Sequence, residues 1–291
     1  MNKILLIDGN HLAHRARHRF DKFTNRKGES SSVVYGGPFM VSSLLRKFPS
    51  SICYAAFDQG RASERLAIHP DYKNREKRPM EDNFEKQLKA FRTILSSLNV
   101  KVVHKKGCEA DDFLYALAKE HRHTHKTLIS ADKDFIPMLD PYTKIFNPSK
   151  NVILSTINCK KEYGFTPEEF TDYLCLKGDK SDHIPGVNGL GDVRIRALLD
   201  EFGSIDNFFE QGGSKAWDRY WDAIDEVYDR NFELISLRYF HNKYRRKDPI
   251  PIQPSTWDLD KVQEIAKYYS IKAFREDSFI KSFKQLEPCT R

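Results

Sequence analysis

The sequence predicts an α/β protein, in which a mostly parallel central sheet with helices on both faces is continued by a purely helical second half. Three observations carry this expectation. Short runs rich in Ile, Val and Leu recur at residues 3–7, 52–57, 101–104 and 127–130, as in strands buried on both faces. Candidate helices lie between them at 39–48, 83–98 and 110–120, giving the strand–helix alternation of βαβ units. Beyond Pro167 only helical patterns remain, at 167–176, 191–202, 205–210 and 222–238, so a boundary is expected near residue 165.

The remaining elements follow from punctuation. Between residues 143 and 156, NPSKN separates two extended pieces and reads as a β-hairpin. The Pro-rich stretch 248–254 breaks the helical half before a last helix at 259–269. There is no internal repeat and no low-complexity block.

Composition narrows the class. The 291 residues are 40% hydrophobic and 12% aromatic, enough for a packed core. Charged residues make up 31%, and no apolar run approaches bilayer length, which argues against a membrane protein. The amino terminus has no signal-peptide anatomy, so a cytoplasmic location is expected. Cys53, Cys108, Cys159, Cys175 and Cys289 are odd in number and far apart, which fits reduced thiols. A net charge of +7 permits a polyanionic partner.

The acids are the most informative residues. Asp8 follows ILLI, Asp58 follows YAAF and Asp132 follows LIS, so three carboxylates stand just past the ends of three expected parallel strands. In open α/β sheets those ends line one edge, where ligands bind. Glu109, Asp111 and Asp112 open a helix, Asp134 lies two residues past Asp132, and Asp179 and Asp182 pair in KGDKSD. Each acid alone also fits the ordinary preference of Asp for turns and first helical turns. Together they would repel one another unless cations shared the site. Oxygen ligands without His or Cys select Mg²⁺ or Mn²⁺. Two such ions about 4 Å apart are the usual arrangement for phosphodiester hydrolysis.

The motifs LIDGN (6–10), FD (57–58) with PDYKNR (70–75), GCEADD (107–112), SADKDF (130–135) and GDKSDHIPGVNGLG (178–191) resemble the 5′ nuclease, or flap endonuclease, family. That family includes the 5′ to 3′ exonuclease domain of bacterial DNA polymerase I and stand-alone bacteriophage enzymes. The resemblance implies that Asp8, Asp58, Glu109, Asp111 and Asp112 surround one divalent ion, and Asp132, Asp134, Asp179 and Asp182 a second. It implies Mg²⁺ as cofactor, with Mn²⁺ as a substitute. Catalytic work falls to Lys73, Asp8, Asp58 and Asp132, with Lys73 stabilising charge on the scissile phosphate.

By the same resemblance, the basic segment 60–91 forms a helical arch that orders the 5′ strand. A solvated helix face is its plain alternative. Arg75 comes two residues after Lys73 and Glu76 takes the third place, so Arg75 and Arg78 are both candidates for the phosphate contact, beside Tyr72. Arg15 matches a family arginine, with His14 before it where relatives are often aromatic. The glycines Gly189 and Gly191 precede a helix and allow backbone N–H groups to approach a phosphate. They belong to an expected helix-turn-helix, residues 178–202, that grips duplex DNA and in relatives also holds K⁺. Val193 stands where relatives carry lysine, which makes Arg194 and Arg196 the candidate cations. His183 is another departure, since relatives often have Asn.

Two further clusters have plain readings. His121, His123 and His125 alternate, but fit a polar surface loop better than a zinc site. Tyr239, Lys243, Tyr244, Arg245, Arg246 and Lys247 fit either a DNA contact or a solvated turn.

The expected organisation is therefore an α/β nuclease core over 1–165 and a helical DNA-binding region over 166–291. The expected function is structure-selective 5′ to 3′ exonuclease and flap endonuclease activity on DNA with 5′ ends, flaps or nicks. Length leaves no room for an attached polymerase domain, so a DNA polymerase would be a separate partner of a monomeric enzyme. If phage-encoded, it would act in the host cytoplasm. The rivals are a catalytically silent branched-DNA-binding module and a ribonuclease with the same metal core. An aspartyl-phosphate phosphatase wants an Asp two residues after Asp8, where Asn10 stands.

Overall fold

A computed structural model describes residues 3–74 and 83–287. In chain order the elements are β1 (Ile4–Asp8), α1 (Gly9–Arg19), α2 (Ser32–Lys47), β2 (Ile52–Ala56), α3 (Ser63–Ile68), α4 (Phe84–Ser96), β3 (Lys101–Val103), α5 (Ala110–Glu120) and β4 (Lys126–Ile129). The hairpin of β5 (Thr143–Asn147) and β6 (Val152–Leu154) follows, then α6 (Thr156–Tyr163) and α7 (Phe170–Lys177). Two short strands, β7 (Gly178–Asp179) and β8 (Ile184–Pro185), lead to α8 (Asp192–Phe202), α9 (Ile205–Glu210), α10 (Asp218–Ile235) and α11 (Leu237–Phe240). Last come α12 (Leu259–Tyr268) and α13 (Asp277–Phe283).

The sheet has the order β3-β2-β1-β4-β5-β6, parallel except for the antiparallel β5–β6 edge. The chain builds outward from β1 through β2 to β3, then returns beside β1 with β4 and builds the other way. That reversal opens a crevice at the carboxyl ends of β1 and β4. Strand β1 explains why it reads as a continuous apolar run: Ile4 and Leu6 face one core, Leu5 and Ile7 the other, and all four are buried.

Helix α2 begins at Ser32, seven residues before the expected start, because Gly36-Gly37-Pro38 reads as a breaker but lies within the helix. Helix α1 was not expected at all. Its only large buried apolar side chain is Leu12, beside Ala13 and Ala16, so its hydrophobic stripe is faint. The expected helix-turn-helix, residues 178–202, is corrected: it holds the β7–β8 hairpin, a turn and α8, and the helix on its other side, α7, ends at Lys177. At its crossing, a Cβ on Gly178 would lie 2.3 Å from the Gly186 nitrogen, and Gly178 has φ +70°. Only glycine fits there.

The expected extent of the helical DNA-binding region, 166–291, needs correction. Residues 250–258 return along the sheet edge, where the Gln253 N–H donates to Val102 O at 2.8 Å and Ile252 bridges Val103. Helices α12 and α13 then pack on α4 and α2, with Val262, Ala266, Phe274, Phe279 and Phe283 buried in the same core as Phe91. The chain thus leaves the opposite core after Ile250 and Ile252 and closes back over the sheet.

Candidate active site

The crevice between β1 and β4 collects the acids. Asp8 ends β1 and caps α1: one carboxylate oxygen accepts from the His11 N–H at 2.9 Å, the other from the Ser130 hydroxyl at 3.0 Å. The glycine after it is obligatory, since a Cβ at Gly9 would lie 2.4 Å from the Phe57 ring. Asp58, just past β2, accepts from the Ala110 N–H at the start of α5 and from the Asn10 side-chain amide, each at 2.8 Å. Two helix N-termini therefore point at these carboxylates and favour their charge. Asp132 and Asp134 follow β4, with the Asp134 N–H donating to Asp132 at 3.0 Å. Asp179 and Asp182 enter on the β7–β8 hairpin.

Burial and mutual repulsion govern these groups. Burial, reinforced by Asp58 and Asp132, pushes the Asp8 carboxyl up to about 7 against the opposing His11 N–H. Burial likewise raises Asp58, with Glu109 adding to it. Asp111 is raised by burial, then by Asp132 and Asp8. Asp134 is raised by burial, then by Asp132, Asp179 and Asp182. The repulsions thus form two overlapping groups that share Asp132. The protein's own donors leave this charge under-compensated, and the donor atoms are all hard oxygens, so the residues fit divalent cations of the Mg²⁺ class. Among the described residues, no three His, Cys, Asp or Glu side chains are already gathered into an arrangement that could hold an ion.

Glu109 and Asp112 sit differently. Lys73 Nζ reaches Glu109 Oε1 at 2.5 Å, while Arg65 Nη1 at 2.7 Å and the Tyr72 hydroxyl at 3.1 Å meet Oε2. Burial would raise the Glu109 carboxyl, but Arg65 and Lys73 hold it below the usual range. Asp112 takes a two-pronged grip from Arg65, at 2.9 and 3.1 Å. Asp112, expected beside an ion, accepts from this buried guanidinium through both oxygens, whereas Glu109 is shared between Arg65, Tyr72 and the more exposed Lys73. Tyr72, expected to contact DNA, needs correction. It is 5% exposed and turned inward onto Glu109, so its ring offers no face to DNA.

Lys73 stands at the mouth. Its backbone is left-handed, with φ +49°, and is held there by its N–H donating to Asp182 O at 3.0 Å. Its Nζ lies 3.6 Å from the Asp182 carboxylate. The His69 Nε2–H donates to His183 O at 2.9 Å, and His183 is also left-handed at φ +61°. Asn tolerates this conformation well, which is the physical reason for Asn at such a position. Strained backbones on both sides of one contact, at roughly 1–3 kcal/mol each, mark a junction that the surrounding structure over-determines. Burial opposes the Lys73 ammonium, yet Glu109, Asp111 and Asp182 keep it firmly protonated. An open cleft of about 750 Å³ runs beside it between Asp71, Asn74, Lys180 and Gly189.

The other expected DNA contacts stand on separate elements. Arg15 donates to the Ser149 hydroxyl at 2.9 Å, across to the β5–β6 turn. Gly191 caps α8 with open space around its Cα. Arg194 donates to Gly189 O at 2.6 Å, bringing positive charge to the turn where the resemblance implies K⁺. The Arg196 guanidinium lies 5.3 Å from the Phe165 ring centre. Arg75 and Arg78 lie outside the described residues. The histidine series is structural: His121 Nε2 meets the Tyr54 hydroxyl at 3.1 Å, and His123 and His125 pack on Tyr142. In the 239–247 cluster, Lys243 and Tyr244 both engage Glu233, and Arg245 engages Glu64 at 2.7 Å. Within that run Lys243, Tyr244 and Arg245 are thus held by acids of the protein itself, while Arg246 and Lys247 are exposed.

Asn10 and Ser130, which orient Asp58 and Asp8, were not singled out for that role, though Ser130 had a signal, two residues before Asp132 in SADKD. Arg65 counted only as one base of the segment 60–91, which reads as an arch or a solvated face, whereas the structure buries it.

Residues 3–164 match the family model described as 5′-3′ exonuclease, N-terminal resolvase-like domain, and residues 165–262 match 5′-3′ exonuclease, C-terminal SAM fold. DNA polymerase I of Streptococcus pneumoniae is 35% identical over 285 residues, covering 94% of this chain and 32% of that protein. DNA polymerase I of Mycobacterium bovis is 30% identical over 289 residues, covering 95% and 31%. The chain thus spans about a third of the length of these relatives. Among solved structures, a bacteriophage T5 flap endonuclease pseudo-enzyme–product complex with DNA and metal ions superposes with TM-score 0.72 at 20% identity, covering 92% of this chain and 100% of that one. With both domain models matched in order over a sheet whose switch point gathers the acids, the chain belongs to the 5′-3′ exonuclease family.

Proposed function

We propose that the chain is a divalent-metal-dependent, structure-selective 5′ nuclease that hydrolyses DNA phosphodiester bonds near the junction of single and double strands. The observation that carries this reading is the set of mutually repelling carboxylates at the switch point, running from buried Asp8 to exposed Asp132, with Lys73 fixed at their mouth. Two Mg²⁺ or Mn²⁺ ions held by Asp8, Asp58, Glu109, Asp111, Asp132, Asp134, Asp179 and Asp182 would supply an activated water and charge neutralisation at the phosphate. The chain's own residues do the rest. Asn10, Ser130 and the N–H groups of His11 and Ala110 orient the acids. Lys73 presents an ammonium to the developing phosphate charge. The Gly189–Gly191 turn with Arg194 offers a backbone-phosphate contact at the N-terminus of α8.

The T5 neighbour bound to DNA and metal ions supports the choice of substrate and cofactor. The polymerase relatives support a role beside a DNA polymerase in replication or repair. A silent binding module gains nothing from under-compensated acids facing a phosphate. The test is cleavage of 5′-flap, nicked, blunt and single-stranded DNA, with RNA counterparts, in Mg²⁺ and in EDTA. Cutting of the flap near its junction in Mg²⁺ alone is expected. No cutting of any substrate would overturn the proposal, and equal cutting of RNA would overturn its DNA selectivity.

A further inference from the structure

Arg65 is 2% exposed and lies on α3, outside every acid-bearing loop. An isolated buried guanidinium is costly, so its partners show what it is for. Nη1 meets Glu109 Oε2 at 2.7 Å and Asp112 Oδ2 at 3.1 Å, and Nη2 meets Asp112 Oδ1 at 2.9 Å. Nε donates to the carbonyl of Leu234 at 3.1 Å, one of the last carbonyls of α10, which no residue within that helix can satisfy. The guanidinium plane lies over Phe240 of α11, 3.9 Å from the ring centre. One side chain therefore ties two acids at the start of α5 to the end of α10 and to α11.

We propose that Arg65 is a positioning residue for the acid site, fixing Glu109 through a rigid two-acid fork and locking that fork to the helical half of the molecule. The fork is specific to arginine. A lysine could neutralise one acid but could not hold Asp112 with two prongs while also reaching Glu109 and Leu234. Glu109 needs such a brace because its other strong partner, Lys73, sits at the mouth with 36% of its side chain exposed. With Arg65 in place, Glu109 keeps one orientation when Lys73 turns toward a phosphate. This inference rests on the proposed metal-dependent function.

The test compares Mn²⁺ affinity, measured by calorimetry on the DNA-free chain, in wild type, Arg65→Lys and the charge-balanced double variant Arg65→Met/Asp112→Asn. The double variant strands no buried charge, so it keeps the test open if Arg65→Lys folds poorly. Circular dichroism and flap-DNA affinity in EDTA serve as structural controls. Loss of an outer partner of a ligand is expected to weaken Mn²⁺ binding by about 10-fold or more. DNA affinity should stay within about threefold, and Arg65→Lys should lose less than the double variant. Folded variants with wild-type Mn²⁺ affinity would overturn the positioning role alone. A wild type that binds no Mn²⁺ would overturn the proposed function and this role together.

Discussion

Replacing Lys73 with alanine removes a cation that the described residues fix at the mouth of the acid site. Its Nζ sits 2.5 Å from Glu109 and 3.6 Å from Asp182, with 36% of the side chain exposed. A unit charge about 4 Å from another near a protein surface is worth about 4 kcal/mol, and solvent screening reduces this at a partly open site. A rate loss of about 10²–10³-fold follows, the range seen when one transition-state donor is removed. The fold should lose little, because Glu109 keeps Arg65 at 2.7 Å. Binding should change little as well, since one phosphate contact among many is a small part of duplex affinity. The assay is single-turnover cleavage of a 5′-flap substrate at saturating enzyme in Mg²⁺, paired with fluorescence anisotropy of the same DNA in EDTA. A variant that cuts at the wild-type rate while its affinity falls more than about 10-fold would refute the reasoning, because Lys73 would then be a binding residue.

Three further outcomes follow from the packing. Glu64→Gln should remove an acid-range contribution: Arg245 holds the Glu64 carboxyl down at about 2, so the folded state binds its proton less readily than the unfolded chain. That stability, about 1–2 kcal/mol after screening, is full above the ordinary carboxyl range and is lost as pH falls toward 2; equal acid-denaturation curves for the two proteins would contradict it. Gly178→Ala should cost more than about 2 kcal/mol and weaken duplex binding, read by thermal melting and anisotropy, because its Cβ would meet the Gly186 nitrogen at 2.3 Å. Phe279→Ala should cost about 3–5 kcal/mol while unfolding stays a single transition, because Phe279 is 1% exposed in the core under α2; loss of only a minor early transition would mean that the carboxyl-terminal segment folds apart from the sheet.

The parallel sheet was legible because strands buried on both faces carry unbroken Ile/Val/Leu runs, and β1 shows this with Ile4 to Ile7 all buried. Asp8, Asp58 and Asp132 were legible for the same reason, since each stands at, or within three residues of, the end of a strand that carries such a run. What one chain segment does to a distant one was not legible. Tyr72 reads as an aromatic among bases, and only the fold reveals Glu109 behind it. Asp112 reads as one more acid in GCEADD, until α3 brings Arg65 against it from 47 positions away. The amphipathic stripe of α12 shows that one face is buried but not which layer buries it, so its return to α4 had no local signal. Helix α1 was missed because its buried face, Gly9, Leu12, Ala13 and Ala16, carries a single large apolar side chain.

The most direct measurement is single-turnover cleavage of a 5′-flap duplex in Mg²⁺ by wild type and by Asp8→Asn, with the cut site mapped and DNA affinity measured in EDTA. Wild type should cut near the junction, and Asp8→Asn should lose cutting while binding DNA at least as tightly, because one repelling acid is gone from a surface that faces phosphate. Cutting by Asp8→Asn at the wild-type rate, or no cutting by wild type, would contradict the assignment of hydrolysis to the carboxylates at the switch point.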